Sequence, residues 1–363
     1  MISILLPDLR GGGAERVMID LGREFEHLGY SVEFVLMQAR GDFLAEAQRE
    51  FPIVDLNVRR VRQSPLAIAR YLRERRPVAV IANMWPLTSA AVIAKAVSRQ
   101  GSRLLLLEHT ILTRQYADWG RLHSALLSAS MTATHRFADR IAAVSQASVR
   151  DTARLARVGF DKVTVLHNPV PQRPIPGPEA RSTADALWRC PPGRRILTVG
   201  SLRNQKNHAL LLRAFATMDR TDQRLMLVGQ GGNEAALRAL ASDLGIASQV
   251  IFAGFHSDPA PFFATADLFV LSSDIEGLPT VLIEALSFGL PVVSTDCPSG
   301  PAEILQGGRF GRLVPVGDAS ALARAMDAAL AAPVDRDALI NRAADFAPGI
   351  AARKYLDLLG LLP

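Results

Sequence analysis

The chain has 363 residues, too many for one ordinary core and suited to two domains of about 150–200 residues each. Hydrophobic residues make up 49% and charged residues 21%, a balance that excludes a disordered chain. The net charge of +6 is uneven, with +7 over residues 1–170 (23 Lys/Arg, 16 Asp/Glu) and −1 over residues 171–363 (18 and 19). A basic half suits anionic lipid or phosphorylated substrates, and equally a plain solvated surface. It lacks the interleaved aromatics of a nucleic-acid interface, so nucleic acid is not an expected partner.

Along the first half, short apolar runs alternate with longer stretches of helical spacing. Ile2–Leu6, Val32–Met37, Val78–Asn83, Leu104–Glu108, Arg140–Val144 and Val163–Leu166 read as strands. Ala14–Leu28, Pro65–Glu74, Thr88–Ser98 and Gln146–Arg157 read as helices. This alternation predicts a parallel sheet with crossover helices. Apolar runs such as Val78–Ile81 and Leu104–Leu107 fall far short of the roughly 18–20 residues of a spanning helix. Met1–Leu6 meets Asp8 and Arg10 at once, which is not the order of a signal peptide. Cys190 and Cys297 have no metal-ligand spacing, so no metal site is expected and a reducing cytoplasm is the simplest setting.

Residues 171–192 interrupt the pattern. Seven prolines lie between Pro169 and Pro192, and proline removes donors and restrains its neighbour, which predicts a linker. The alternation then restarts. Ile196–Val199, Arg224–Val228, Val250–Ala253, Leu268–Leu271 and Val292–Ser294 read as strands. Asn207–Phe215, Glu234–Leu244, Pro259–Thr265, Pro279–Phe288 and Ser320–Leu330 read as helices. The expected fold class is α/β, with two doubly wound, Rossmann-like parallel-sheet domains at 1–170 and 193–345. Such sheets bind ligands at the carboxyl ends of their strands, which points to a cleft between the two.

The most informative stretch is Asp274-Ile275-Glu276-Gly277-Leu278-Pro279-Thr280-Val281-Leu282-Ile283-Glu284. It leaves the strand Leu268–Leu271 and enters a helix, with Gly277 free to turn and Pro279 suited to the first helical turn. Glu276 then lies in the loop, and Glu284 about one and a half turns into the helix. Free N–H groups at the helix start lie between them. One carboxylate can meet sugar hydroxyls, the amides a diphosphate and the second carboxylate a ribose. An ordinary first-turn Glu with a surface Glu would look similar. Gly200-Ser201-Leu202-Arg203-Asn204-Gln205-Lys206 follows another strand. Its Arg203 and Lys206 could offset charge growing on a departing diphosphate, or simply be solvated.

Gly229-Gln230-Gly231-Gly232 and Arg10-Gly11-Gly12-Gly13-Ala14-Glu15-Arg16 are both strand-to-helix turns. Each fails the dinucleotide fingerprint, with Glu234 and Arg16 at the third glycine's place. His109, ending a strand, is a site candidate or a structural histidine. No nucleophile elbow or phosphate loop is present. Asp335-Arg336-Asp337 reads as helix capping rather than a metal pair.

With Glu276 and Glu284 seven residues apart after Gly277-Leu278-Pro279, the chain resembles the family 4 retaining glycosyltransferases of GT-B fold. Gly12-Gly13-Ala14-Glu15-Arg16, Ala143-Val144-Ser145, His167-Asn168-Pro169 and Arg203 with Lys206 are also similar, and the resemblance covers essentially the whole length. It implies donor-sugar contact by Glu276, ribose contact by Glu284 and diphosphate contact by Arg203 and Lys206. Thr280 and Val281 would offer amides to the phosphates, Gly13 would approach phosphates or acceptor, and His109 would sit beside the donor sugar. Gly200, Gly229, Gly277 and Leu278 belong to the same expected nucleotide-sugar site.

Asp296–Leu305 resembles bacterial members that use UDP-hexoses or UDP-N-acetylhexosamines. The tail Phe346–Leu359 is similar to family helices that return to the first domain. The expected activity is transfer from a UDP-sugar to a surface-glycan or lipid-linked acceptor, without a metal because Arg203 and Lys206 stand in for a bound divalent ion. Rival readings are an epimerase or phosphorylase on the same fold, an NAD-dependent oxidoreductase and a non-catalytic sugar-binding module. Basic residues 1–170 and the semi-amphipathic stretch Trp119–Phe137 suggest an anionic membrane surface as a further partner.

Overall fold

The computed structural model describes residues 1–10, 12–218 and 222–362; Gly11 of the glycine-rich turn lies outside them. The chain divides into two compact units, Met1–Pro171 with Phe346–Pro363, and Gln172–Asp345. Among the described residues, no helix is long and apolar enough to cross a membrane.

The first unit contains β1 (Ile2–Leu6), β2 (Val32–Leu36), β3 (Ile53–Asp55), β4 (Ala79–Asn83), β5 (Arg103–Glu108), β6 (Arg140–Ala143) and β7 (Val163–Val165). They form a parallel sheet in the order β3-β2-β1-β4-β5-β6-β7. In register, Ile4 of β1 lies beside Phe34 of β2 on one side and Ile81 of β4 on the other. Every residue of β1, β2 and β4 is buried, because crossover helices cover both faces of such a sheet. This is why these strands are apolar without alternation. Gly13–His27, Leu87–Ser98 and Gln146–Ala156 are three of those helices.

The second unit contains β8 (Arg195–Val199), β9 (Arg224–Val228), β10 (Val250–Gly254), β11 (Leu268–Leu271), β12 (Val292–Thr295) and β13 (Arg312–Val314). Their order is β10-β9-β8-β11-β12-β13, again parallel. Strand order reverses between β8 and β11, and such a switch point is where doubly wound sheets bind ligands, at the carboxyl ends of the strands.

The proline-rich stretch is not simply a linker. Pro178–Trp188 is a helix with Pro178 in its first turn, a place where the missing proline N–H costs no hydrogen bond. Trp188 is fully buried and its Nε1 donates to Thr265 Oγ1 at 3.0 Å, so the helix belongs to the second unit's core. The sequence pattern also passed over the short edge strands β3 and β13 and the helix Leu44–Glu50. Asp335 caps Arg336–Ala344 by accepting from Ala338 N at 3.0 Å.

The last helix, Pro348–Leu358, packs in the first unit. Its fully buried Tyr355 meets Phe25 edge-on, with ring centroids 6.4 Å apart. Tyr30 Oη donates to the Leu361 carbonyl at 2.5 Å and Arg140 Nε to that of Leu358 at 3.1 Å.

Candidate functional site

The loops leaving β8 and β11 are stitched together by backbone and side chain. Asp274 N donates to Gln205 O at 2.9 Å, Ser272 Oγ to Lys206 O at 2.9 Å, and Asn207 Nδ2 to Asp274 Oδ1 at 2.8 Å. Asn207 Oδ1 also caps the helix His208–Ala216 by accepting from Leu210 N at 3.1 Å. The stitching brings Lys206 and Glu276 together. Lys206 Nζ lies 2.6 Å from Glu276 Oε1, and Ser273 Oγ donates to that same oxygen at 2.6 Å. Glu276 is 8% exposed, and its Oε2 has no hydrogen-bond partner among the described residues. The pairing engages one oxygen and leaves the second to accept from a hydroxyl donor.

The β9 turn supports this loop from behind. A Cβ on Gly229 would lie 2.0 Å from Gly200 O, and one on Gly231 would lie 2.4 Å from Leu202 O. Gly200 N donates to Val228 O at 2.9 Å and Leu202 N to Gln230 O at 3.0 Å. The glycines therefore let two backbones touch, and their position is explained without a ligand.

Glu276 leads through Gly277, Leu278 and Pro279 into the helix Thr280–Ser287, which no side chain caps. The N–H groups of Leu278, Thr280 and Val281 have no partner among the described residues. Such amides, with the helix dipole behind them, favour an anion. Arg203 is exposed in the neighbouring loop. One turn into the helix, Glu284 Oε2 lies 3.2 Å from Arg173 Nε, and Arg173 Nη1 lies 3.2 Å from Asp258 Oδ1. Buried Cys297 lies near this group, its thiol pushed up to about 12 by burial and then by the Glu276 charge.

In the first unit, His109 Nε2 meets Asn83 Oδ1 at 2.9 Å, while its buried Nδ1 has no hydrogen-bond partner among the described residues. Burial lowers this histidine to about 4, so the ring is neutral near pH 7. Its neighbour Glu108 is fully buried, accepting from Thr88 Oγ1 at 2.8 Å and Trp85 N at 3.0 Å. Gly13 opens the helix Gly13–His27 at an exposed position where an added Cβ would meet nothing within 4 Å.

Residues 11–172 match the family described as Glycosyltransferase Family 4, and residues 191–346 match Glycosyl transferases group 1. The chain belongs to the family 4, group 1 glycosyltransferases. It is similar to the N-acetylgalactosamine-N,N'-diacetylbacillosaminyl-diphospho-undecaprenol 4-alpha-N-acetylgalactosaminyltransferase of Campylobacter jejuni. That likeness is 27% identity over 354 residues, covering 94% of this chain and 93% of the relative. The lipopolysaccharide 1,6-galactosyltransferase of Escherichia coli is 30% identical over 169 residues, 44% of each chain. Among solved structures, Anabaena HepE in complex with UDP matches with a TM-score of 0.83 at 21% identity, covering 99% of this chain and 100% of that one. The same protein has been solved with UDP-glucose. The fold of this glycosyltransferase is GT-B.

Within the glycosyltransferase, the second unit gathers Glu276, Lys206, Gly200, Gly277, Leu278, Thr280, Val281 and Glu284 along two adjacent loops and one helix. Gly229 belongs to the supporting turn, and Gly13 and His109 belong to the other unit. Sequence reasoning passed over Ser273, which holds Glu276, and Arg173, which holds Glu284. Ser273 stands three residues before Glu276, a local signal that could have found it. Arg173 lies 111 positions from its partner and gave none. Ser145, part of the resemblance, caps the helix Gln146–Ala156 by accepting from Ser148 N at 3.3 Å.

Proposed function

We propose that this glycosyltransferase transfers a hexosyl or N-acetylhexosaminyl group from a UDP-sugar to an acceptor hydroxyl, with retention and without a metal ion. The observation that carries the reading is the Lys206–Glu276 pair at the β8/β11 switch point, followed in the chain by three amides without partners among the described residues. Glu276 Oε2 accepts from donor-sugar hydroxyls, and the amides of Leu278, Thr280 and Val281 meet the diphosphate. Arg203 and Lys206 offset the charge that grows on it, the role a divalent ion fills elsewhere. Glu284 accepts from the ribose, and His109 and Gly13 serve the sugar or acceptor from the first unit.

In the reaction the bond from the anomeric carbon to the UDP oxygen breaks and the acceptor oxygen bonds to that carbon on the same face. The acceptor's proton passes to the departing phosphate. The C. jejuni relative's named substrate and the UDP-glucose complex of HepE support a nucleotide-sugar donor and a lipid-linked or surface-glycan acceptor. On this reading the protein is cytoplasmic and peripheral at the inner face of a bacterial membrane.

A thermal-shift panel of UDP, GDP, ADP, NAD and UDP-sugars, run on wild type and Glu284→Ala, tests the reading. Stabilisation by UDP that weakens in the variant is expected. A shift with NAD alone would overturn it. Conversion of the donor sugar without transfer to any acceptor would instead favour an epimerase or phosphorylase.

A further inference from the structure

Against the loop that carries Glu276 lies a second arm, the segment following β12, in which Thr295, Cys297, Ser299 and Gly300 are buried while Asp296 and Pro298 are exposed. Thr295 Oγ1 donates to Ser273 O at 2.6 Å, and Asp296 N donates to Val314 O at 2.7 Å. The chain then turns through Cys297 and Ser299, 2% and 3% exposed. Ser299 Oγ donates to the carbonyl of Gly277 at 2.5 Å. Gly300 follows at φ +88, where a Cβ would lie 2.4 Å from Pro279 Cδ and 3.1 Å from Leu278 Cα. The arm touches the three residues that separate Glu276 from the helix Thr280–Ser287, and it has no room for a side chain at Gly300.

The Gly277–Leu278 peptide is trans, so its C=O and N–H point in opposite directions. Drawing the Gly277 carbonyl down onto Ser299 turns the Leu278 N–H to the other side of the loop. The N–H groups of Thr280 and Val281, at the start of the following helix, are likewise without partners among the described residues. Without the Ser299 hydroxyl, the peptide between a glycine and the helix has little to stop it rotating, because Gly277 tolerates either orientation. A peptide flip there would replace a donor facing the anion with a carbonyl oxygen.

We propose that Ser299, seated by Gly300, is a positioning residue that fixes the Gly277–Leu278 peptide so that Leu278 N–H serves as a diphosphate donor. The inference rests on the donor-site reading given above. It assigns the Asp296–Gly300 arm to phosphate binding through the loop rather than to choice of sugar.

The test compares UDP with uridine, which lacks phosphate, by titration calorimetry on wild type, Ser299→Ala, Ser299→Thr and Gly300→Ala. Ser299→Ala should weaken UDP about three- to tenfold, the range set by loss of one oriented hydrogen bond, and leave uridine unchanged. Ser299→Thr keeps the hydroxyl and should recover UDP affinity. Gly300→Ala should reproduce the selective loss by displacing Pro279. Equal weakening of UDP and uridine would show a general loosening and overturn the proposal, as would unchanged UDP affinity in Ser299→Ala. Failure of wild type to bind UDP, GDP or ADP would instead end the donor-site reading, and this inference with it.

Discussion

Lys206 and Glu276, 70 residues apart, meet at 2.6 Å with side chains only 16% and 8% exposed. Each arrives from its own strand end, so the contact locks the β8 and β11 loops to each other. Lys206→Ala leaves a buried carboxylate with Ser273 as its remaining partner. That change should destabilise the protein by about 2–3 kcal/mol and cut turnover by about 100-fold or more. Lys206→Met combined with Glu276→Gln should regain part of the stability but none of the activity. Denaturation and turnover on both singles and the double check this; simple additivity would reject the coupling.

The glycines of the β9 turn are separable by one substitution each. Gly229→Ala forces a methyl onto Gly200 O and should cost about 2 kcal/mol or more, with weakened UDP binding. Gly232→Ala has open space around it and should stay within about 1 kcal/mol of wild type. Equal effects in a melting experiment would contradict the close-approach argument.

Two histidines set an acid limit on stability. Burial lowers His109 and His208 to about 4, His208 also through the charge of Lys206. Above about pH 6.5 both are neutral in the folded and unfolded chain, and the full stability is present. As pH falls from about 6.5 towards 4, the unfolded chain takes up protons that the folded chain refuses, so stability is lost across that window. His208→Gln should flatten the slope, recovering up to about 3 kcal/mol of the acid loss. An unchanged slope in denaturation between pH 7.5 and 4.5 would show that other groups govern it.

Turnover with a UDP-sugar should persist in excess EDTA if Arg203 and Lys206 take the cation's part, as proposed. Collapse of activity, restored by Mg²⁺ or Mn²⁺, would reject this assignment.

Trp119, Leu122, Leu126 and Phe137 are exposed on and beside the helix Arg121–Thr134, in the basic half of the chain. The protein should float with anionic vesicles at low salt and be released at high salt. Leu122→Ser with Leu126→Ser should reduce flotation. Absence of binding at low salt would remove the membrane from the proposed function.

The two sheets were legible because buried parallel strands are written as unbroken apolar runs, as in Leu104–Leu107 and Leu268–Leu271. β3 and β13 were not, since each is three residues long and only partly buried. Pro178–Trp188 was hidden by its own proline, which marks a helix start as readily as a linker. As candidates, Glu276 and Lys206 were picked out by their place in loops after strands, and Glu284 by its spacing into the following helix and by resemblance. Arg173, the partner of Glu284, was not, being one arginine among many, nor was Ser299, whose hydroxyl meets the Gly277 carbonyl 22 residues away.

The first unit is discontinuous in sequence, closed by the helix bearing Tyr355, whereas the second runs without a break from Gln172 to Asp345. The two therefore differ in how the gene can be dissected. A fragment spanning 172–345 carries a complete sheet and core and is the natural truncation for testing the proposed nucleotide site in isolation. A fragment ending at Pro171 would bare Phe25 and remove the carbonyl acceptors of Tyr30 Oη and Arg140 Nε. It would need the last 18 residues spliced back on, either as a fusion after Pro171 or as a separate complementing peptide.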